Sequence, residues 1–299
     1  MITVFGSLNV DLVTRVARIP HPGETVSGSD YRLIPGGTGA NQALAARRAG
    51  GAVALYGAIG YDSFAETAFV ELTPAGVDLT GVARVPHPTG LAIISVDEKG
   101  ENAIVVAPGA NAHATAASIP PEAFGTNDIL LTQMEVPFAE TLAAAQKAHA
   151  AGARAILSLA PYSPLAAEDI AQFDMLIVNE HEAADLAKHL GVSAAGADAT
   201  VTGLARRLSR TVIATLGADG AVAVHDGAII RVPALPVTPV DTTGAGDTFC
   251  GVLAAYLDRG ADMRTALARA AVAGSLACTR AGAQPSFPTK VEIEAAAAG

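Results

Sequence analysis

The chain carries the stretch Asp241-Thr242-Thr243-Gly244-Ala245-Gly246-Asp247, in which three small residues precede an aspartate. A β-like run over residues 229–240 comes before this glycine-rich loop, and an alanine-rich helical pattern over residues 248–259 follows it. Small residues let successive backbone N–H groups point into one space, and the helix adds its positive N-terminal end. The stretch therefore predicts an anion hole at a strand-to-helix turn of an α/β fold.

Gly244, Ala245 and Gly246 supply the N–H groups of this anion hole, and Asp247 closes it. A bare carboxylate would repel an anion, so Asp247 is better suited to act as a general base. It would take a proton from a hydroxyl while the N–H groups hold the developing charge of a phosphoryl group. The alternative is a tight turn in which Asp247 only caps the helix.

A second glycine-rich loop, Pro35-Gly36-Gly37-Thr38-Gly39-Ala40-Asn41-Gln42, enters a helical run over residues 43–48. Its glycines allow a ligand to approach the backbone closely. Asn41 would project its amide from the first turn of the helix, where it could bind a polar ligand. This loop favours a ligand site over a purely structural turn at Asp247.

The chain opens with a short apolar strand that runs into Gly6-Ser7-Leu8-Asn9-Val10-Asp11. Asn9 and Asp11 lie two positions apart, which places both on one face of an extended segment. Polar residues at strand ends, followed by glycine-rich helix starts, predict a site at the carboxyl edge of an α/β sheet. Taken alone, Asn9 and Asp11 also suit a turn.

Apolar β-like runs alternate with helical runs along most of the chain. The β-like runs are residues 53–57, 128–133, 153–159, 174–178 and 211–216, and the helical runs are residues 63–75, 137–151 and 180–190. This rhythm predicts a mostly parallel sheet covered by helices on both faces. Residues 14–33 and 89–106 instead alternate apolar and polar side chains, which predicts antiparallel strands outside the main sheet.

These segments resemble the ribokinase family, the phosphofructokinase-B type of carbohydrate kinases, and within it most of all the ribokinases. The resemblance covers essentially the whole chain and rests on motifs in family order. Besides the three loops quoted above, they are Pro22-Gly23-Glu24-Thr25, Gly90-Leu91-Ala92, Gly109-Ala110-Asn111, Gln133-Met134-Glu135, Asn179-Glu180-His181-Glu182, Thr215-Leu216-Gly217-Ala218-Asp219-Gly220 and Thr279-Arg280-Ala281-Gly282-Ala283-Gln284-Pro285-Ser286.

The resemblance implies a three-layer α/β sandwich formed by a single catalytic domain over residues 1–299. It also implies a small β-sheet lid contributed by about residues 12–35 and 87–108, which in the family often forms the contact of a homodimer. The implied activity is transfer of a phosphoryl group from ATP to the terminal hydroxyl of a pentose. ATP, Mg²⁺ and K⁺ are the implied cofactors.

The resemblance further assigns residues to three parts of the site. The sugar would be bound by Asn9, Asp11, Gly37, Thr38, Asn41, Glu135 and Asp247. The nucleotide would contact Asn179, Thr215, Gly217, Gly220 and Gly246. A monovalent cation would be held by Asp241, by the backbone carbonyls of Thr243, Ala277, Arg280 and Gly282, and by Ser286.

Asn179 and Glu182 have the spacing Asn-x-x-Glu at the start of a helical run. The i, i+3 relation puts both side chains on one helix face, where Glu182 could organise water around Mg²⁺ and Asn179 could reach the nucleotide phosphates. The alternative is a capping box, in which Asn179 caps the helix and Glu182 bonds back to it.

Composition narrows the class of protein. Hydrophobic residues make up 51% of the 299 residues and charged residues 16%, so the chain can bury a large core. The net charge of −10 and the absence of long basic runs argue against a nucleic-acid partner. We expect no secretory signal, no membrane span and a cytoplasmic location. The two cysteines, Cys250 and Cys278, fall in helical patterns and suit buried apolar positions better than a disulfide.

Thr38 departs from the family pattern, because ribokinases usually carry a lysine at this position of the loop. The departure removes a charged donor near the sugar, so the substrate could be ribose, another pentose, a deoxypentose, a hexose derivative or a nucleoside. Tyr31 is the main aromatic residue of the lid segments, which disfavours stacking of a purine.

A non-catalytic sugar- or nucleotide-binding protein is the alternative from a different class. The sequence does not identify the residues around the adenine.

Overall fold

The structure, a computed structural model, describes residues 1–193 and 195–298. Ala194 and Gly299, which belong to the predicted domain of residues 1–299, lie outside the described residues. The strands are β1 Ile2–Phe5, β2 Asn9–Val16, β3 Gly28–Gly36, β4 Val53–Ile59, β5 Val82–Arg84, β6 Gly90–Val96, β7 Asn102–Ala107, β8 Ile129–Thr132, β9 Arg154–Ser158, β10 Met175–Asn179, β11 Thr211–Thr215, β12 Ala221–His225 and β13 Ala228–Val232. The α-helices are α1 Thr38–Arg48, α2 Ser63–Phe69, α3 Leu72–Ala75, α4 Phe138–Ala150, α5 Ala167–Ile170, α6 Glu180–His189, α7 Ala197–Leu208, α8 Ala245–Asp258, α9 Met263–Ala277 and α10 Lys290–Ala298.

Nine strands form the main sheet in the order β13-β12-β11-β10-β9-β8-β1-β4-β5. All neighbouring pairs are parallel except β11 with β12 and β12 with β13, which confirms the predicted mostly parallel sheet. Parallel strands need crossover connections, and these place helices on the faces of the sheet. Their carboxyl ends meet at one edge, where the loops after β1, β8 and β10 converge.

Two apolar cores lie on opposite faces of this sheet. Residues of β1 and β8 alternate between them, so that Val4 and Leu131 face one core while Phe5 and Leu130 face the other. The first core packs against α1, α8 and α9, and the second against α4, α6 and α7. Helices therefore cover both faces, and the three-layer α/β sandwich expected from the sequence is confirmed.

Four strands form a separate small sheet, the lid, in the order β3-β2-β6-β7. The hairpins β2–β3 and β6–β7 are antiparallel, which confirms the predicted antiparallel strands outside the main sheet, whereas β2 and β6 pair in parallel. β2 continues from β1 and β6 follows β5, and β1 and β5 point the same way in the main sheet. The two hairpins therefore leave that sheet in the same direction and join side by side.

The predicted strand over residues 229–240 is too long, because β13 spans only Ala228–Val232. Prolines follow at positions 233, 236 and 239, and a proline cannot donate to a sheet ladder. Residues 233–239 instead lie in irregular structure against α9 and α8. The helix predicted over residues 248–259 begins earlier, at Ala245, which places Asp247 in its first turn.

Two further helical segments differ in their bounds from the predicted ones. The helical run 43–48 is the end of α1, which already begins at Thr38 because Gly37 adopts a φ of 92° and ends β3 there. The run 63–75 is divided into α2 and α3. No helix within residues 1–193 and 195–298 is both long enough and apolar enough to cross a lipid bilayer.

Candidate active site

Two adjoining cavities open at the carboxyl edge of the main sheet, beside the first turn of α8. The smaller one has a volume of about 260 Å³ and contains Asp247. The larger one has a volume of about 480 Å³. Both are lined by Thr215 and Gly246, so the glycine-rich loop before α8 forms their common wall.

Asp247 is held by two amides from α1. Asn41 donates from Nδ2 to its Oδ2 at 2.8 Å, and Gln42 donates from Nε2 to its Oδ1 at 3.3 Å. Burial raises the pKa of Asp247 to about 7; the neighbouring charges of Glu135 and Asp11 act in the same direction, while the two amide donors oppose the shift. A carboxyl with a pKa near neutrality can accept a proton from a hydroxyl and release it again, as a general base must.

Glu135 and Asp11 are the other two carboxylates that the resemblance assigned to the sugar, and their charges act on Asp247. The Oε2 atom of Glu135 accepts hydrogen bonds from Ser7 Oγ at 2.5 Å and from the N–H of Thr38 at 2.9 Å. Burial, together with the charge of Glu135, raises the pKa of Asp11 to about 6. The structure therefore brings together the carboxylates that the resemblance assigned to a polyol.

Asn9 and Asn111 form an amide pair next to these carboxylates. Asn111 donates from Nδ2 to Asn9 Oδ1 at 2.6 Å, and both residues are buried. Gly90 lies against the pair, and a Cβ at this position would come within 2.1 Å of Asn9 Oδ1. Asn111 belongs to the quoted motif Gly109-Ala110-Asn111, but no local pattern indicated that it would contact Asn9.

Glycines in the second loop make room for this cluster. A Cβ at Gly36 would lie 2.6 Å from Asp11 Oδ1, and a Cβ at Gly37 would lie 2.6 Å from the backbone nitrogen of Asn9. Gly37 also has a φ of 92°, which side chains rarely tolerate. Thr38 follows at the start of α1 and lines the smaller cavity together with Asp247.

The loop predicted to form the anion hole lies directly before and in the first turn of α8, with fewer free donors than expected. Gly244 adopts a left-handed conformation with a φ of 76° at the N-cap of α8. Ala245 donates its N–H to the carbonyl of Thr242 at 3.2 Å, so this donor is already occupied within the loop. The N–H groups of Gly244 and Gly246 have no acceptor among the residues that the structure describes. We therefore correct the predicted set of free donors to these two glycines.

Asn179 and Glu182 form the capping box that the sequence offered as an alternative. Glu182 N–H donates to Asn179 Oδ1 at 2.8 Å, and Asn179 N–H donates to Glu182 Oε2 at 2.7 Å. Both residues nevertheless line the smaller cavity with Asp247. Burial raises the pKa of Glu182, although its bond to Asn179 and the charge of His181 oppose the shift.

The larger cavity is lined mostly by residues that the sequence did not identify as part of a site. Its walls come from the start of α8, from α9, from the loop after β11 and from residues 234–239. They comprise Thr215, Gly217, Ala218, Gly220, Ala234, Leu235, Pro236, Val237, Pro239, Thr242, Ala245, Gly246, Phe249, Ala271, Gly274, Ser275 and Cys278. The wall is mostly apolar. Its proline-rich part, residues 234–239, belongs to the segment that was predicted to be a strand.

Asp241 joins the two loops that were expected to hold a monovalent cation. Its Oδ1 accepts from the N–H of Thr243 at 2.9 Å, and its Oδ2 accepts from the N–H of Gly282 at 2.9 Å. Partial burial works against ionisation, but a hydrogen bond from the Thr243 hydroxyl at 2.7 Å and these two N–H bonds outweigh it and lower the pKa of Asp241. The carboxylate therefore stays charged, as a cation site would need.

The other residues of the expected cation site differ in how deeply they are buried. Ser286 is buried and donates its Oγ–H to the carbonyl of Ala283 at 2.8 Å. Ala277 is buried at the end of α9, whereas Arg280 is exposed and forms an ion pair with Glu292 at 2.5 Å. No group of three or more His, Cys, Asp or Glu side chains in the described part of the chain is arranged to hold a metal ion.

Comparisons with known proteins identify the family to which the chain belongs. The family described as pfkB family carbohydrate kinase matches residues 1–290. The chain is 37% identical over 296 residues to the ribokinase of Bacillus subtilis (strain 168), with 98% of each chain covered.

Two solved structures share the fold over nearly their whole length. A ribokinase from Thermotoga maritima superimposes with a TM-score of 0.92 at 33% identity, covering 100% of this chain and 99% of that chain. A ribokinase from Arabidopsis thaliana, complexed with ribose and ATP, superimposes with a TM-score of 0.90 at 28% identity and covers 99% and 98%. The agreement includes the lid as well as the main sheet.

Proposed function

Since the chain belongs to the pfkB family of carbohydrate kinases, we propose that it transfers the γ-phosphoryl group of ATP to the terminal hydroxyl of ribose, forming ribose 5-phosphate. One observation carries this proposal: Asp247, a carboxyl with a pKa of about 7, lies in the smaller cavity directly after Gly246, which also lines the larger, apolar cavity. A sugar on one side and a nucleotide on the other would meet at this residue.

The carboxylates and amides grouped around Asp247 suit a small polyol. Asp11, Glu135 and Asp247 offer carboxylate acceptors, while Asn9 and Asn41 offer amides that can bridge neighbouring hydroxyls. The lid strand β2 carries Asn9 and Asp11, so closure of the lid over a sugar would bring these groups onto it. We assign the sugar to this cluster.

The apolar cavity suits the base and ribose of ATP. Its apolar walls and its volume of about 480 Å³ are typical of pockets for small ligands. From there the phosphates would extend over Thr215 and Gly246 toward Asp247. Gly217 and Gly220 lie in the turn that borders this cavity, in agreement with the nucleotide contacts expected from the sequence. The use of ATP also supports the expected cytoplasmic location.

The proposed chemistry uses Asp247 as the base that removes the proton of the terminal hydroxyl. The N–H groups of Gly244 and Gly246, at the positive end of α8, would stabilise charge on the transferred phosphoryl group. Glu182 contributes a single carboxylate near the phosphate path, which fits Mg²⁺ bound through water. When bound, Mg²⁺ neutralises phosphate charge and aligns the phosphoryl group for transfer.

A substrate panel tests the proposed function. The purified protein would be assayed for ADP release with ATP, Mg²⁺ and each of ribose, 2-deoxyribose, a second pentose, fructose and adenosine. The expected result is the highest kcat/KM for ribose and a product phosphorylated at the terminal hydroxyl. A higher kcat/KM for another acceptor would replace ribose as the substrate, and no turnover with any of them would favour a non-catalytic binding protein.

Replacing Glu182 by glutamine should change the Mg²⁺ dependence without loss of stability. Glutamine can still accept the Asn179 N–H bond of the capping box, but it lacks the charge that would organise water around Mg²⁺. The Mg²⁺ concentration at half-maximal rate should rise about 10-fold, as for loss of an outer-sphere partner of a metal. An unchanged Mg²⁺ titration, with an unchanged maximal rate, would show that Glu182 is only a cap.

We propose that K⁺ activates the enzyme more than Na⁺ does. The support is the charged Asp241 carboxylate, which bridges the anion loop and the loop at Gly282. A cation there would order the neighbouring Gly244 donor. Rates measured in KCl and NaCl at matched ionic strength should differ, and the difference should disappear in Asp241→Asn. Equal rates of the unsubstituted protein in the two salts would contradict a functional cation site.

We also propose a homodimer formed through the lid. The apolar side chains Tyr31 on β3 and Ile104, Val105 and Val106 on β7 are more than half exposed on the two edge strands of the lid, and exposed apolar surface commonly marks an interface. Val105→Asp should therefore shift the protein from dimer to monomer in sedimentation velocity runs. Val291→Asp, on the exposed face of α10, is the matched control and should leave the mass unchanged. A monomer of the unsubstituted protein at high concentration would contradict the proposal.

A further inference from the structure

Four buried or nearly buried amides converge on Asp247 in two short chains. In the first chain, Gln133 donates from Nε2 to Gln42 Oε1 at 2.7 Å, and Gln42 in turn donates to Asp247 Oδ1. In the second, Gln284 donates from Nε2 to Asn41 Oδ1 at 3.0 Å, and Asn41 donates to Asp247 Oδ2. Each carboxylate oxygen is thus the end of its own chain.

The direction of both chains follows from the chemistry of Asp247. An ionised carboxylate only accepts hydrogen bonds, so each amide that touches it must present its N–H group. The carbonyls of Asn41 and Gln42 then face away from Asp247 and need a donor, which Gln284 and Gln133 supply. If either outer glutamine lost its N–H group, the inner amide could rotate and turn its carbonyl toward the carboxylate.

The side chain of each outer glutamine makes one hydrogen bond among the described residues, and that bond is to an inner amide. Gln284 is fully buried and Gln133 is 1% exposed, and the carbonyl oxygen of each has no hydrogen-bond partner among the described residues. Gly6 makes room for Gln133, since a Cβ at Gly6 would lie 2.0 Å from Gln133 Oε1. An unpaired buried carbonyl is costly, so the donor function of these residues is what the structure retains.

We infer that Gln133 and Gln284 are positioning residues for the proposed reaction: each fixes the N–H group of an inner amide against one oxygen of Asp247, which sets the orientation of that carboxylate in the cavity. The inference deepens the proposed function, because Asp247 is the base in it. Neither glutamine lines the smaller cavity in which Asp247 lies, so their effect passes through Gln42 and Asn41.

Other titratable groups around Asp247 also affect its pKa. The titratable groups that face it are Asp11 on β2, Glu135 after β8, Cys250 on α8 and Glu182 on α6. None of the described residues that line its cavity is a lysine, arginine or histidine. The amide donors are therefore the groups that lower the pKa of Asp247, against burial and like charge, and their loss should raise it.

The test compares Gln133→Met and Gln284→Met with the unsubstituted protein. Methionine is similar in length but has no N–H group. The matched control is Gln172→Met, because Gln172 is exposed and its Nε2 only contacts the carbonyl of Glu168. The first measurement is the ¹³C chemical shift of the Asp247 carboxyl against pH in the unliganded protein, assigned by its loss in Asp247→Asn. The second is kcat/KM for the sugar from pH 5 to 9.

We expect the titration midpoint of Asp247 to rise by about 1 pH unit in each glutamine variant, since a hydrogen bond to a charged group and one pKa unit are of similar energy. Because the base acts in its ionised form, kcat/KM should fall about 10-fold below the midpoint and recover at high pH. Gln172→Met should match the unsubstituted protein. A midpoint that does not move, or a loss of kcat/KM that is the same at every pH, would overturn the positioning role.

Two features of the experiment distinguish a failure of the positioning role from a failure of the proposed function. The NMR titration uses no substrate, so it decides the positioning role even if the unsubstituted protein phosphorylates none of the sugars, a result that would overturn the proposed function instead. The two variants act on different oxygens of Asp247. If Gln133→Met does not fold, Gln284→Met alone must show the shift, and its failure to do so would overturn the inference.

Discussion

Asp247→Asn should lower kcat by about 10²–10⁴-fold or more, while ATP still binds. The side chain keeps its size, but the amide cannot take a proton from the acceptor hydroxyl. Asn41 and Gln42 both donate to this position, so the substituted amide can accept from only one of them. The loss should appear in kcat rather than in the KM for ATP, because the apolar cavity is untouched.

The measurement is steady-state kinetics together with ATP binding by calorimetry. Asp226→Asn is the matched control, since Asp226 is exposed in the turn between β12 and β13. It has a φ of 50°, a conformation that asparagine tolerates. The control should keep the activity and the stability of the unsubstituted protein. An Asp247→Asn variant with more than about a tenth of the original kcat would contradict the role of Asp247 as the base.

Local sequence was sufficient to predict the parts of the site that lie within single loops. The glycines at 244 and 246, the aspartate that follows them and the amide at Asn41 each have a meaning within a few residues of the chain. The alternation of β-like and helical runs likewise predicted the parallel sheet and the edge at which these loops meet. Burial and like charge, which make Asp247 titrate near neutrality, could not be predicted in this way.

Contacts between distant segments explain most of what was missed. Gln284 lies 243 positions from Asn41, and Asn111 lies 102 positions from Asn9. No periodicity or motif links such pairs, because the partner is chosen by how strands and helices pack. The wrong strand assignment after β13 is different: the prolines at 233, 236 and 239 were visible, and their missing N–H groups argued against a strand.

Thr38→Lys is the second substitution with a large expected effect, because it adds a positive charge to an acidic site. Thr38 begins α1, lines the cavity of Asp247 and donates its backbone N–H to Glu135. A lysine there could donate to a sugar hydroxyl, and hydrogen bonds to charged groups are worth about 1.5–3 kcal/mol. The KM for ribose should therefore fall about 10-fold or more, at about 1.4 kcal/mol per decade.

The same charge should act on the carboxylates that surround it. A nearby cation favours the ionised forms of Asp247 and Asp11, so their pKa values should fall below about 7 and about 6. Because Asp247 works as a base when it is ionised, the acid limb of kcat/KM should move to lower pH. The KM for ATP should hardly change, since Thr38 does not line the larger cavity.

Thr38→Met separates charge from length in this experiment. Methionine extends into the same space without a donor, so it should neither lower the KM for ribose nor move the acid limb. An equal fall in KM for both variants would assign the effect to packing. If Thr38→Lys changes neither the KM for ribose nor the ranking of sugars, then threonine at this position does not limit ribose binding, and the substrate is selected by the Asn9, Asp11 and Glu135 cluster alone.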